Sequence, residues 1–220
     1  MNLFRIMLFV SFLTLMFGCD ASTGSQQGQE VGVVTGQEMN ENWVWEVMNS
    51  AAAVKNGQDI RMQEQALEVQ LVQLTDEELV MFSRIYERIH NAAYTWDLWA
   101  AAYFTSGGCS DDGFTCFRNW VIGRGKVAYF RILENPDNLA DYSMGEDPAL
   151  TAQCAEWDLL PGQIWESRDS SRDDNQWFDL WYESPGLNRE PVGEPFDEDD
   201  IQAFKAKFPR LAEEYHHLWD

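Results

Sequence analysis

Apolar residues recur at helical spacing along most of the chain, and no strand-period alternation runs for any length. The clearest stretch opens at Thr75-Asp-Glu-Glu78. That sequence suits a capping box, in which the Thr75 side chain accepts the Glu78 backbone N–H and Glu78 reaches back. Leu79, Phe82, Tyr86, Ile89, Ala93, Trp96, Ala100 and Tyr103 then follow at steps of three or four. The spacing predicts one long helix over about 75–104, ended by Gly107-Gly108. Being apolar on several faces, it belongs at the centre of the fold, with Trp96–Tyr103 buried.

Shorter patterns surround it. Trp43, Val47 and Ala51 predict a helix from Trp43 to about Val54, and Leu67, Leu71 and Leu74 a second over 60–74, with Gly57 between them. Ser110 suits an N-cap, with Asp111 and Asp112 in the first turn and Phe114, Phe117 and Val121 as a buried stripe. Gly123 and Gly125 interrupt that helix before 127–133 continues, and Asn135-Pro-Asp137 marks a turn. A helix is expected near 148–160, with Pro148 in its first turn. Residues 161–196 carry four prolines and predict irregular structure. The acidic run 197–200 opens a short helix that closes on Lys205 and Lys207, an arrangement that suits the helix dipole. The whole predicts an all-α, compact multi-helix domain over 41–220.

The first 40 residues break the pattern. Ile6 to Phe17 is almost wholly apolar and Arg5 is the only charge before it. Twelve residues are too few to span a bilayer but fit the apolar region of a signal peptide. The run ends Gly18-Cys19, which resembles the lipobox of bacterial lipoproteins, where a small residue precedes a Cys that becomes lipidated. Met16 and Phe17 depart from that pattern. The expectation is a leader over 1–19, lipid on Cys19, and a flexible Ser/Gly/Gln-rich tether over 20–40. The domain would then sit in the cell envelope, lipid-anchored on the outer side of the cytoplasmic membrane or at the outer membrane.

Composition narrows the partners. Ten Trp, 7 Tyr and 13 Phe supply enough aromatic area for a packed interior rather than disorder. The formal net charge of −22 repels phosphate backbones and excludes nucleic acid as a partner. It favours solubility first, and a cationic partner or divalent metal second. With Cys19 lipidated, Cys109, Cys116 and Cys154 remain, and three is odd, so at least one stays free or pairs between chains. No C-x-x-C spacing, phosphate loop or cofactor motif appears, and no cofactor is expected.

Thr95-Trp-Asp-Leu-Trp-Ala-Ala-Ala-Tyr103, Gly107-Gly-Cys-Ser-Asp-Asp-Gly-Phe114 and Phe117-Arg-Asn-Trp-Val-Ile-Gly123 closely resemble the domain of unknown function family 4240. Asn135-Pro-Asp-Asn-Leu139 and the 193–211 stretch ending Phe-Pro-Arg-Leu211 extend the resemblance to roughly Trp43–Trp219. Cys116 and the N-terminal leader depart from the family pattern. The resemblance implies a domain and carries no activity with it.

Candidate site residues cluster near the glycine pair. Asp111 and Asp112 stabilise a helix start by about 0.3–1 kcal/mol each; the same acids can hold a divalent cation or act as a general base. Arg118, two turns along that helix, either pairs with Asp97, Asp111 or Asp112 or clamps a substrate anion. Asp97 lies in the most apolar part of the long helix, where a carboxylate is costly unless paired, so it is expected to meet Arg118 or a helix N-terminus, or to serve as a base of raised pKa. Trp96 and Trp99 read as core, and Cys109 lacks a base beside it. Two functions stay open: a non-enzymatic binding or interaction module at a membrane, or a hydrolase or metal-dependent enzyme using Asp111, Asp112 and Arg118. Convergence of those three side chains in an open pocket would separate them.

Overall fold

A computed structural model describes residues 39–54, 59–142, 156–182 and 187–219. The leader with Cys19, nearly all of the tether, Gly57, most of the helix expected near 148–160, Cys154 and Pro185 lie outside the described residues. The described residues belong to one compact unit and are all-α, with one isolated bridge.

Side-chain caps set most of the helix starts. Asn40 accepts the Trp43 N–H to open α1 (Glu41–Ala52), and Asp59 accepts the Met62 N–H to open α2 (Ile60–Leu71). The capping box of α3 (Asp76–Ala92) is complete: Thr75 N–H donates to Glu78 Oε2 at 2.7 Å, and Glu78 N–H to Thr75 Oγ1 at 3.2 Å. The helix expected over 75–104 is interrupted once. Thr75's logic repeats at Thr95, whose side chain accepts the Leu98 N–H and starts α4 (Trp96–Ser106). In the gap, Trp96 N–H donates to Val192 O and Val192 N–H to Tyr94 O, both at 2.9 Å. A distant segment therefore takes the backbone groups that a continuous helix would use. Periodicity misses the break because Ile89 and Ala93 before it, and Leu98 and Ala100–Ala102 after it, are all buried.

Gly107, at φ 67°, closes α4 in the left-handed region, as a helix C-terminus commonly requires. Ser110 then accepts the Gly113 N–H at 3.1 Å and opens α5 (Asp111–Ile122). α6 (Lys126–Glu134) and a 3-10 segment at Pro136–Asp141 follow. The region expected to be irregular over 161–196 contains two helices, α7 (Leu160–Ser167) and α8 (Asp174–Trp181). Pro161 sits in the first turn of α7, where a missing N–H costs nothing. α8 has its own capping box, Asp173 with Gln176, hidden in sequence among polar residues.

α9 (Ile201–Lys207) and α10 (Pro209–Tyr215) complete the chain with a last 3-10 turn at His216–Leu218. Buried Asp137 accepts the backbone N–H groups of Arg210 and Leu211, and the Arg210 guanidinium pairs with Asp141. The Asn-Pro-Asp and Phe-Pro-Arg-Leu segments are thus bolted to each other.

At the centre, α3 and α5 bury Phe82, Tyr86 and Ile89 with Phe114, Phe117 and Trp120. Gly123 lies against the buried Trp157 ring, where a Cβ would approach to 1.8 Å.

Candidate functional site

The sequence candidates do not converge. Asp111 and Asp112 are exposed in the first turn of α5. Asp112 lines a small cavity of ≈ 210 Å³ with Thr115, Asn119, Glu156 and Asp158. Asp97 is exposed, not buried, and pairs with Lys207 at 2.6 Å. The reason is position along the axis: Asp97 shares a face with buried Ala101 but lies in the first turn of α4, at the end opened by the break, where Lys207 meets it. Trp96 and Trp99 are half-buried, stacked on each other at 5.3 Å.

Arg118 is buried, but none of its expected carboxylate partners lies within ion-pair distance among the described residues. Its guanidinium donates to His90 O at 3.3 Å and Thr115 Oγ1 at 3.1 Å, and lies over the Tyr94 and Phe114 rings at 4.6 and 5.2 Å. It lines neither cavity. Its charge still reaches its neighbours: burial, and then Arg118, push the His90 imidazole down to about 3. Neutral His90 keeps a proton on Nε2, which donates to Thr115 O at 3.1 Å. Among the described residues, no group of three or more His, Cys, Asp or Glu side chains is placed to hold a metal ion. Cys109 is a free thiol that burial pushes up to about 11, a poor nucleophile. Cys116 is disulfide-bonded, with its partner outside the described residues.

A larger cavity lies elsewhere, between α3, α7 and α8, with a volume of ≈ 490 Å³. α3 contributes Phe82, Ser83, Tyr86 and Glu87, neighbours on one helix face. The start of α7 contributes Asp158 and Gly162, and Glu166 lies a turn on. α8 contributes Asp174, Trp177, Phe178 and Trp181. Among the described residues, four carboxyl groups and five aromatic rings therefore line it, and no Lys, Arg or His.

Several contacts fix the walls. Asp76, at the start of α3, binds Arg168 and Arg172, each at 2.6 Å. Arg172 also lies over the Trp165 ring at 4.3 Å, so the α7–α8 connection is tied to the capped end of α3. The two guanidinium groups, Arg172 foremost, hold the Asp76 carboxyl below its usual range. Arg84 donates to Leu180 O at 2.6 Å and ties α3 to α8. Gly162 lets Trp177 close over α7, since a Cβ there would meet the indole at 2.8 Å.

The cavity's acids differ from surface ones. Burial pushes the Glu87 carboxyl up to about 7; Arg118 pulls the other way and the Asp158 charge adds to the rise. Burial also raises Asp158. A buried relay orients it: Tyr86 O–H donates to Asn119 Oδ1, and Asn119 Nδ2 donates to Asp158 Oδ1, both at 2.9 Å. Ser83 is 7% exposed, and its hydroxyl has no hydrogen-bond partner among the described residues.

Sequence reasoning missed this site for a physical reason. Ser83 and Glu87 carry no local signal; they are a Ser and a Glu on a helix otherwise read for its apolar stripe. Asp158 and the α8 aromatics belong to stretches without a clear period, and only tertiary packing brings them to α3. The capping box at Asp173 was the one signal that could have placed α8.

No helix among the described residues is long and apolar enough to cross a membrane. No curated protein and no solved structure matches the chain. A family profile described as "Protein of unknown function (DUF4240)" matches residues 39–167. The matched span holds α3, Asp158, Gly162 and Glu166, and stops short of α8. It covers more than half of the sequence, and the chain belongs to the DUF4240 family.

Proposed function

We propose that this domain is a small-ligand-binding module, displayed at the cell envelope through a lipid on Cys19, with its site in the cavity between α3, α7 and α8. The observation that carries the reading is the cavity itself. Its ≈ 490 Å³ fall within the roughly 300–1,000 Å³ of small-molecule sites, and aromatic walls with a few polar groups are the usual lining. The Asp76–Arg168–Arg172 bracket and Gly162 hold the walls in place without a ligand.

The test is a ligand-observed magnetic-resonance screen of a chemically mixed fragment set against the full chain and against Ser83→Leu, which fills the cavity. Fragments should bind the natural protein and lose contact with the filled one. A screen without hits, or hits that Ser83→Leu leaves untouched, would overturn the reading.

A second reading is an acid–base enzyme in the same cavity. One observation favours it: a carboxyl near 7 can both give and take a proton at neutral pH. On that reading Glu87 and Asp158 replace Asp111, Asp112 and Arg118 as the working groups. Glu87→Gln would then abolish turnover of a fragment hit while leaving it bound.

A further inference from the structure

We infer that the cavity between α3, α7 and α8 selects a small organic cation: a primary amine whose ammonium meets Glu87, Asp158 and Ser83 and whose apolar body lies against Trp177 and Phe178. This inference rests on the cavity being a ligand site and adds the class of ligand.

Charge excludes one class first. Among the described residues, four carboxyl groups and no basic side chain line the cavity, so an anion would meet repulsion that only the Gln163 and Asn175 amides oppose. A neutral polyol needs donors and acceptors in balance, and the lining sets four carboxyl groups against two side-chain amides. A primary ammonium has three N–H donors and no acceptor. The cavity offers three acceptors of different origin: Glu87 from α3, Asp158 from the start of α7, and the Ser83 hydroxyl.

Ser83 is the independent observation. It is 7% exposed and lines the cavity, and its oxygen has no partner among the described residues. Buried hydroxyls are normally bonded, so an unpartnered one beside a cavity is free to turn toward a ligand's polar group. Asp158 is pre-oriented through Asn119 and Tyr86, so little side-chain freedom is lost on binding. The aromatic walls add cation–π attraction, strongest for indole, and Trp177 and Trp181 are both there. The net charge of −22 raises the local concentration of cations around the whole molecule.

The experiment titrates the full chain by calorimetry with three probes of one shape: 2-phenylethylamine, 2-phenylethanol and 3-phenylpropanoate. The amine should bind at least tenfold more tightly than the alcohol, and the carboxylate should not bind. Glu87→Gln, nearly the same in shape, should cut the preference of amine over alcohol to below threefold. Ser83→Ala should weaken the amine severalfold and the alcohol less. Ser83→Leu should remove both, which separates the cavity from the acidic surface.

An alcohol that binds as tightly as the amine overturns the cation inference while leaving the cavity a ligand site. Amine binding unchanged in Glu87→Gln and Ser83→Leu places the cation on the surface and overturns it too. Binding of none of the three, while the fragment screen yields hits, sinks the cation inference alone. Failure of both experiments sinks the ligand site with it.

Discussion

At the residue scale, the molecule keeps ionisable groups in its interior without closing them into ion pairs. Glu87 is the clearest. Its folded value, about 7, stands above the ordinary 4.5, so the folded protein holds this proton more tightly than the unfolded chain. The stability that goes with the proton is fully present below the ordinary value and is lost as pH rises through about 7. Glu87→Gln should therefore match the natural protein near pH 4 and exceed it near pH 8 by about 2 kcal/mol, allowing for partial solvent access. Urea unfolding at the two pH values measures this. His90 and Asp158 titrate in both proteins, so the difference isolates Glu87 to first order. A variant less stable at pH 8 would mean that the carboxylate is held by favourable contacts rather than by a penalty. Arg118 gives the complementary case. It was legible in sequence as a buried, structural cation, but its partners were not, because two carbonyl and hydroxyl oxygens and two ring faces replace the expected acid. Arg118→Ala should cost about 2–4 kcal/mol through lost packing and the lost hydrogen bonds to His90 O and Thr115 Oγ1. It should also raise the Glu87 midpoint, since Arg118 opposes that shift. Arg118→Lys should restore the electrostatic effect more than the stability, because an ammonium cannot lie flat between Tyr94 and Phe114. Unfolding across a pH series separates the two effects.

At the element scale, local signals placed the helices and tertiary contacts decided their joints. The α3 capping box, the Ser110 cap and the α5 stripe were readable because each is a matter of neighbours three or four apart. The break at 93–95 was not, because its cause is Val192, about a hundred residues away. The candidate cavity was missed for the same reason: its walls meet only after α7 and α8 fold back on α3. Two glycines let those helices approach, and they predict different outcomes. A Cβ on Gly123 would lie 1.8 and 2.0 Å from atoms of Trp157, whose ring is fully buried. Gly123→Ala should cost about 3 kcal/mol or more, since the ring has nowhere to go. A Cβ on Gly162 would press Trp177 at 2.8 Å, but Trp177 borders the cavity and can yield into it. Alanine inside α7 also gains roughly 1 kcal/mol of helix propensity, which offsets much of the overpacking. Gly162→Ala should thus melt close to the natural protein and lose fragment binding. Parallel melting curves and the fragment screen check both; equal destabilisation by the two alanines would show that Trp177 is as fixed as Trp157.

At the scale of the whole molecule, the proposed attachment to a membrane hangs on one residue. The described helices supply no span, and a chain of net charge −22 gains nothing from anionic head groups, which repel it. The −22 also gives the chain no net positive charge to supplement a single acyl chain. Within the sequence, the one feature that can take lipid after removal of an apolar leader is Cys19, behind Gly18 and the run from Ile6 to Phe17. The family match begins at residue 39, beyond that cysteine. Cys19→Ala should therefore give a domain with the same melting temperature and the same fragment binding, found in the soluble fraction or held as an unprocessed precursor. The natural protein should take up radiolabelled palmitate and partition with membranes, and the variant should do neither as a mature form. Absence of label in the natural protein, or a mature Cys19→Ala protein that still sediments with membranes, would overturn the anchor. The cavity and its ligand would survive that result, because the described residues that line it and brace its walls lie from Asp76 onward.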